Sequence, residues 1–312
     1  MNIRATLRTN EQPRFLMCPP RHFAVTYSIN PWMNPQAWAE SGAALHQTAQ
    51  AQWEGLRAAL TAAGAAIETL QPEPGLPDLV FTANGAVVLD GKAVLTRFRH
   101  GERQDEEPAF AAAFASLQAR GLVEGIVTLP DSVRLEGAGD CIFDPSRGVL
   151  WMGCGFRSDA IAAAAIERIL GLPCVPLPLA DPSFYHLDTA FCALPCGSVI
   201  YYPGAFTPAA LAAIQAHVAP EHRIALGRGD AEHFAANAVC VDRTIVLSRC
   251  SAGLWRSLAD RAYAVVETPL DVFWRSGGSA CCLTLRLDHR SRSATAPAPL
   301  HDNSSSGSRS GV

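Results

Sequence analysis

Gly85-Ala86-Val87-Val88-Leu89-Asp90-Gly91-Lys92-Ala93-Val94-Leu95 decides the fold. Two apolar runs flank an Asp-Gly pair, which tolerates the left-handed backbone of a tight turn, so the stretch predicts an antiparallel hairpin. The same pattern returns about every fifty residues: Cys141-Ile142-Phe143-Asp144 before a turn at Ser146, Ala190-Phe191-Cys192-Ala193-Leu194 before Gly197, and Ala238-Val239-Cys240-Val241 before Asp242-Arg243. An alanine-rich or amphipathic segment follows each hairpin, over Asp105 to Arg120, Arg157 to Leu170, Pro208 to His217 and Ala252 to Ala262, and each is expected to be a helix. A short apolar run then returns the chain: it begins at Gly125, Cys174, Arg223 and Ala264.

The N-terminal half-unit fits the same order, with a helix from Pro35 to Ala63 and a strand from Ala66. Its missing hairpin is completed if the opening strand Arg14-Phe15-Leu16-Met17-Cys18 pairs with the closing run Cys281-Cys282-Leu283-Thr284-Leu285-Arg286-Leu287. Five hairpin–helix–strand units joined end to end predict a closed ring, an α/β propeller. Residues 1–288 are expected to form this single domain, and 289–312, rich in Ser, Arg, Pro and Gly, a disordered tail.

Composition narrows the function classes. The chain has 312 residues, 49% hydrophobic and 17% charged, with a net charge of -4. No Lys/Arg run supports a nucleic-acid partner. No run of about 18 apolar residues supports a membrane span, and the N-terminus has no apolar signal core, so a cytoplasmic location is expected. Ten cysteines sit mostly in apolar runs, as buried thiols rather than a secreted disulfide framework. Cys192 and Cys196 lie near His186 in sequence, but their spacing matches no usual zinc set, so neither metal nor cofactor is expected. The sequence leaves self-association into a homo-oligomer open.

In a five-unit ring, equivalent loops converge on the axis. The loops entering the hairpins carry Asp78 and Asn84; Glu136 and Asp140; His186 and Asp188; Asn237; and the pair Cys281-Cys282. Taken singly, Asp78 could cap a turn, His186 could be a core histidine and Glu136 a solvated acid. Their common phase within the repeat is what singles them out. If Ser276 to Leu287 is read as a strand, alternation turns Cys281 toward the leucines and Cys282 toward Thr284 and Arg286, which makes Cys282 the candidate nucleophile. A thiol, an imidazole and more carboxylates than a protease triad needs suit a cationic electrophile, and a guanidinium offers the planar donors that paired carboxylates accept.

At these residues the chain resembles the guanidine-modifying, or pentein, superfamily of arginine deiminases, dimethylarginine dimethylaminohydrolases, amidinotransferases and arginine dihydrolases. The likeness rests on Ile29-Asn30-Pro31-Trp32-Met33, Phe81-Thr82-Ala83-Asn84, Glu136-Gly137-Ala138-Gly139-Asp140, His186-Leu187-Asp188-Thr189 and Cys282-Leu283-Thr284, in family order, and covers nearly all of the chain but the tail. It implies a five-bladed α/β propeller with Cys282 as nucleophile, His186 as general acid and base, and Glu136 and Asp188 gripping the guanidinium. By the same resemblance Arg157 binds the substrate's α-carboxylate, Arg103 is a second substrate arginine, and Asp78, Asn84, Asp140 and Asn237 belong to the substrate pocket.

Two positions discriminate within the superfamily. Asp188 stands where dimethylarginine hydrolases commonly carry Lys, and a second carboxylate on the terminal nitrogens favours unmethylated guanidine, because methyl groups would displace its hydrogen bonds. Asn84 stands where deiminases and dimethylarginine hydrolases usually have an acid, and this points to an arginine dihydrolase, which takes arginine to ornithine, ammonia and carbon dioxide. The alternatives are a dimethylarginine dimethylaminohydrolase, an arginine deiminase, an amidinotransferase and a non-catalytic ribosome-binding protein of the same fold. Cys281 departs from relatives that often carry Lys before the nucleophile.

Overall fold

The computed structural model describes residues 12–291. Among them lie five three-stranded sheets, each with an antiparallel hairpin and a third strand added in parallel after a helix. The hairpin Ala86–Leu89 and Lys92–Leu95 turns on Asp90 (φ 51°) and Gly91 (φ 75°), both left-handed, as Asp-Gly predicts. Gly125–Val127 then adds to Lys92–Leu95 in parallel. The other sheets repeat this with Cys141–Asp144, Val149–Cys154 and Cys174–Pro178; Phe191–Ala193, Val199–Tyr201 and Arg223–Ala225; and Val239–Val241, Thr244–Leu247 and Ala264–Glu267. In the fifth, Arg14–Met17 pairs antiparallel with Leu285–Arg286 and parallel with Ala66–Thr69, so the two ends of the described chain close the ring. The architecture is the five-bladed α/β propeller that the hairpin count predicts.

Each blade buries its helix through a narrow apolar stripe. In the helix Glu106–Ala119, Phe110, Phe114 and Leu117 lie on one face and pack with Val88, Ala93 and Leu95 of the adjoining hairpin. Truncating either phenylalanine to alanine costs about 3–5 kcal/mol by the usual cavity arithmetic.

Three expectations change. The helix expected over Pro35 to Ala63 breaks into Pro35–Ala39 and Gly42–Ala62, at a Ser41-Gly42 pair that supports a kink. The helix expected from Arg157 begins only at Ala162, because residues 155–159 are held by loop bonds: Gly155 N–H donates to Ser158 O and Asp159 N–H to Arg134 O. The strand expected over Ser276 to Leu287 shrinks to Leu285–Arg286, and both cysteines sit in a turn where Leu283 N–H donates to Ser279 O and Thr284 N–H to Cys281 O. Strand alternation therefore does not decide which cysteine faces the pocket. Of the expected tail, residues 289–291 lie against the first hairpin, with Asp90 N–H on His289 O and the Ser291 N–H and hydroxyl on the Asp90 carboxylate. Residues 292–312 lie outside the described residues.

Candidate active site

The loops at one end of the hairpins converge as the repeat requires. A cavity of about 10 Å³, the size of roughly one water, is lined by Asp78, Asn84, Arg103, Arg157, His186 and Cys282, and roofed by Ile29 and Asn30. The roof is pinned: Asn30 Nδ2 donates to Ser276 O at 3.0 Å and Trp32 Nε1 to Ser183 O at 2.7 Å. A separate cavity of about 960 Å³ is lined by Cys281, Thr284 and Arg286 among others. The two cysteines thus face different spaces, Cys282 alone of the pair lining the small one.

Cys282 is placed by Asn237. The Asn237 Oδ1 accepts the Cys282 backbone N–H at 3.1 Å, and its Nδ2 donates to Cys282 Sγ at 3.1 Å and to Asp188 O at 3.0 Å. These bonds replace the sheet ladder that the sequence suggested. Asp188 Oδ2 accepts from the thiol at 3.1 Å, while its Oδ1, buried, has no partner among the described residues. Asp78 repeats the arrangement across the cavity, taking the Tyr27 hydroxyl on Oδ2 at 2.8 Å and leaving buried Oδ1 unpartnered.

Glu136 organises the other wall. Its Oε2 meets His186 Nε2 at 2.7 Å and accepts from Arg157 Nη1 at 3.0 Å; its Oε1 accepts the Arg99 N–H at 3.1 Å. Burial pushes the Glu136 carboxyl up, but the Arg157 guanidinium, the His186 hydrogen bond and Arg103 outweigh it, and the group stays ionised. Burial pushes His186 down to about 4 against the pull of Glu136, so its imidazole is neutral near pH 7. An ionised carboxylate only accepts, so the imidazole proton sits on Nε2 and Nδ1 is the basic nitrogen. Burial raises Asp188 to about 7 and, with Asp188 beside it, holds the Cys282 thiol well above its ordinary value.

Two glycines of the Glu136-to-Asp140 loop are required by close approach. Gly137 (φ +60°) would drive a Cβ to 2.6 Å from Ala83 O, and Gly139 would bring one to 2.3 Å from Asn84 Nδ2.

A family model described as N,N dimethylarginine dimethylhydrolase, eukaryotic, matches residues 20–288. The chain belongs to this family. Among curated relatives of this dimethylarginine hydrolase family, it is 43% identical over 88% of its length to the bifunctional arginine dihydrolase/ornithine cyclodeaminase AgrE of Nostoc, covering 38% of that protein. It is 38% identical over 90% of its length to the N(G),N(G)-dimethylarginine dimethylaminohydrolase of Mycobacterium tuberculosis, covering 87% of it. Among solved structures, the N-terminal domain of ArgZ, an arginine dihydrolase from the ornithine–ammonia cycle in cyanobacteria, superposes with a TM-score of 0.84 at 40% identity, over 90% of this chain and all of that one. That structure is a cysteine-to-serine variant bound to substrate. The chain therefore spans well under half the length of its bifunctional curated relative.

Within this family member, not every residue expected in the pocket lines it: Glu136 and Asp188, expected to grip the guanidinium, stand just behind the lining, on His186 and on the Cys282 thiol respectively. Asp140 stands behind the site: its Oδ1 accepts the Leu187 N–H at 3.0 Å and its Oδ2 the Ser158 hydroxyl at 2.7 Å, so neither oxygen is offered to a substrate. Asn237 holds the cysteine loop rather than lining the cavity. Arg157 lines it, but is also bonded to Glu136 and to Ile29 O and lies 4.4 Å over the Tyr185 ring. Sequence reading missed Tyr27, Asn30, Tyr185 and Ser158. Tyr185 adjoins His186 and Asn30 sits in a recognised block, so both could have been found; Tyr27 and Ser158 act through contacts that no local pattern announces.

Proposed function

We propose that this chain hydrolyses the guanidinium group of free arginine through a covalent adduct on Cys282, in two rounds, giving ornithine, two ammonia and carbon dioxide. The observation that carries the reading is the pair of buried carboxylate oxygens without partners among the described residues, Asp78 Oδ1 in the cavity lining with Cys282 and His186, and Asp188 Oδ1 on the carboxylate that holds the Cys282 thiol. Such oxygens are costly unless a ligand supplies donors, and arginine supplies a cation at each end. The substrate-bound N-terminal domain of the arginine dihydrolase ArgZ, all of which this chain covers, supports the same choice.

In the first round the bound guanidinium draws the Cys282 proton away by favouring the thiolate, which attacks the central carbon. The thiol proton passes to Asp188 Oδ2, its acceptor at 3.1 Å, and one proton is given up to departing ammonia with His186 as the general acid, leaving a thiouronium on sulfur. Water then attacks, His186 accepts its proton, and the carbon–sulfur bond breaks to give a bound ureido group. In the second round the thiolate attacks that carbon, a second ammonia leaves, and water releases a carbamate that falls apart to ornithine and carbon dioxide. Arg157 meets the α-carboxylate. The cavity is far smaller than arginine, so the site has to widen to admit it.

The neutral ureido carbon is the harder electrophile, and Asn84, which lines the cavity, carries an amide that can supply a donor to its oxygen, which an ionised Asp could not do. Wild-type protein given arginine labelled in its five-carbon chain should release ornithine as the main labelled product, and Asn84→Asp should move the product toward citrulline while arginine is still consumed. Release of citrulline alone by wild type, or faster hydrolysis of dimethylarginine than of arginine, would contradict the reading.

Asp188 sets a pH dependence. Raised to about 7, its carboxyl is protonated in mildly acidic solution and ionised above that, and only the ionised form accepts the guanidinium donors. kcat/KM for arginine should therefore rise about tenfold per pH unit up to about 7 and then level. A flat profile between pH 5.5 and 7, or one that falls, would remove Asp188 from this role.

A further inference from the structure

Arg103 is fully engaged on one side. Its Nε donates to Glu106 Oε1 at 2.8 Å and its Nη2 to Glu106 Oε2 at 2.7 Å, a two-point fork between side chains that are both almost completely buried. Nη2 also donates to Asp78 O at 3.2 Å, and the guanidinium lies 4.4 Å over the Phe98 ring. Nη1 is thereby aimed at Asn84, whose Oδ1 accepts it at 2.9 Å. A guanidinium only donates, so this contact fixes which end of the Asn84 amide points where: the oxygen toward Arg103 and the nitrogen toward Glu136 O, 3.4 Å away. The flipped amide would set donor against donor in a buried site.

From this geometry we infer that Glu106 is a positioning residue for the second hydrolytic round: by gripping one edge of Arg103 at two points it holds the Asn84 amide in the orientation that donates to the ureido oxygen. Glu106 does not line the cavity and touches no substrate. It sits in the first turn of the helix Glu106–Ala119, so the clamp is anchored on a packed blade. Burial raises its carboxyl to about 7 in spite of Arg103. The neighbouring Glu107 offers the contrast. Its carboxylate serves Phe98 N–H and Arg97, and it has no bond to Arg103.

The inference rests on the dihydrolase reading, and the test separates the two. The measurement is the ornithine-to-citrulline ratio from labelled arginine, which is set within each active molecule and so does not depend on how much protein is folded. Glu106→Gln keeps the shape but offers one acceptor instead of two and turns an amide N–H toward Arg103; losing a charge-assisted hydrogen bond of this kind should lower the ratio about tenfold while arginine is still consumed. Glu106→Asp keeps the charge with a shorter reach and should fall between Glu106→Gln and wild type. Glu107→Gln should leave the ratio at the wild-type value. If wild type releases no ornithine, the dihydrolase reading fails and takes the inference with it. If wild type releases ornithine and both Glu106 variants keep its ratio, or Glu107→Gln lowers it as much, the inference alone is overturned. Should Glu106→Gln not fold, Glu106→Asp carries the test.

Discussion

Cys282→Ser should abolish turnover of arginine, with kcat falling by at least about four orders of magnitude, whereas Cys281→Ser should stay within about tenfold of wild type. A serine hydroxyl in the same place is far less acidic than a thiol, and nothing around Cys282 is a strong enough base to compensate. Asp188, which accepts its proton, is itself raised to about 7, and His186 is lowered to about 4. The reaction thus depends on a nucleophile that the substrate's own charge can ionise. Cys281 borders a different cavity, so its change removes neither the nucleophile nor a wall of the catalytic space. Steady-state kinetics on the two variants decides the point. Equal losses, or loss from Cys281→Ser alone, would overturn the assignment.

The second large effect is expected at the Glu136–His186 pair. Glu136→Gln should lower kcat by about two to three orders of magnitude, because an amide in that place offers a single acceptor to His186, Arg157 and the Arg99 N–H, and no longer holds the imidazole proton on Nε2. His186→Ala should cost at least as much. The two act as one unit, so the double variant should lose little more than His186→Ala alone. Multiplicative losses in a double-mutant cycle would mean that Glu136 serves catalysis apart from the histidine. Removing the charge beside buried Arg157 will also destabilise the fold, by about 3–5 kcal/mol on the usual scale for a broken buried pair, so the kinetics are to be taken well below the melting transition.

Much of the fold was legible because each blade repeats a local signal. Asp90-Gly91 adopts the backbone that its residues favour, and the alanine-rich runs after the hairpins are helices because their apolar faces have a sheet to cover. The loop phase also brought Asp78, Asn84, Glu136, His186 and Cys282 close together, as expected of equivalent positions around a ring. What failed was the reading of Ser276 to Leu287 as a strand. Its composition is β-prone, but the backbone N–H groups of Cys281 and Cys282 are taken by Asn237, some forty-five residues away in sequence. A long-range side-chain contact outweighs local propensity here, and no window of sequence contains it. The same holds for the clamp of Glu106 on Arg103. The two stand three positions apart, across the junction of the helices Gly101–Gln104 and Glu106–Ala119, a spacing that reads as an ordinary surface ion pair until burial shows both side chains enclosed. Sequence could name Arg103 but not that most of its donors are already spent on the protein.

The central claim is that arginine becomes covalently attached to Cys282 on its way to products. Rapid acid quench of wild-type protein mixed with arginine, followed by proteolysis and mass spectrometry, tests it most directly. The account predicts a transient adduct with the mass of arginine less ammonia, confined to the peptide that holds Cys281 and Cys282, located on Cys282 by fragmentation, and absent from Cys282→Ser. Turnover of arginine with no adduct at any quench time, or an adduct on Cys281, would contradict it.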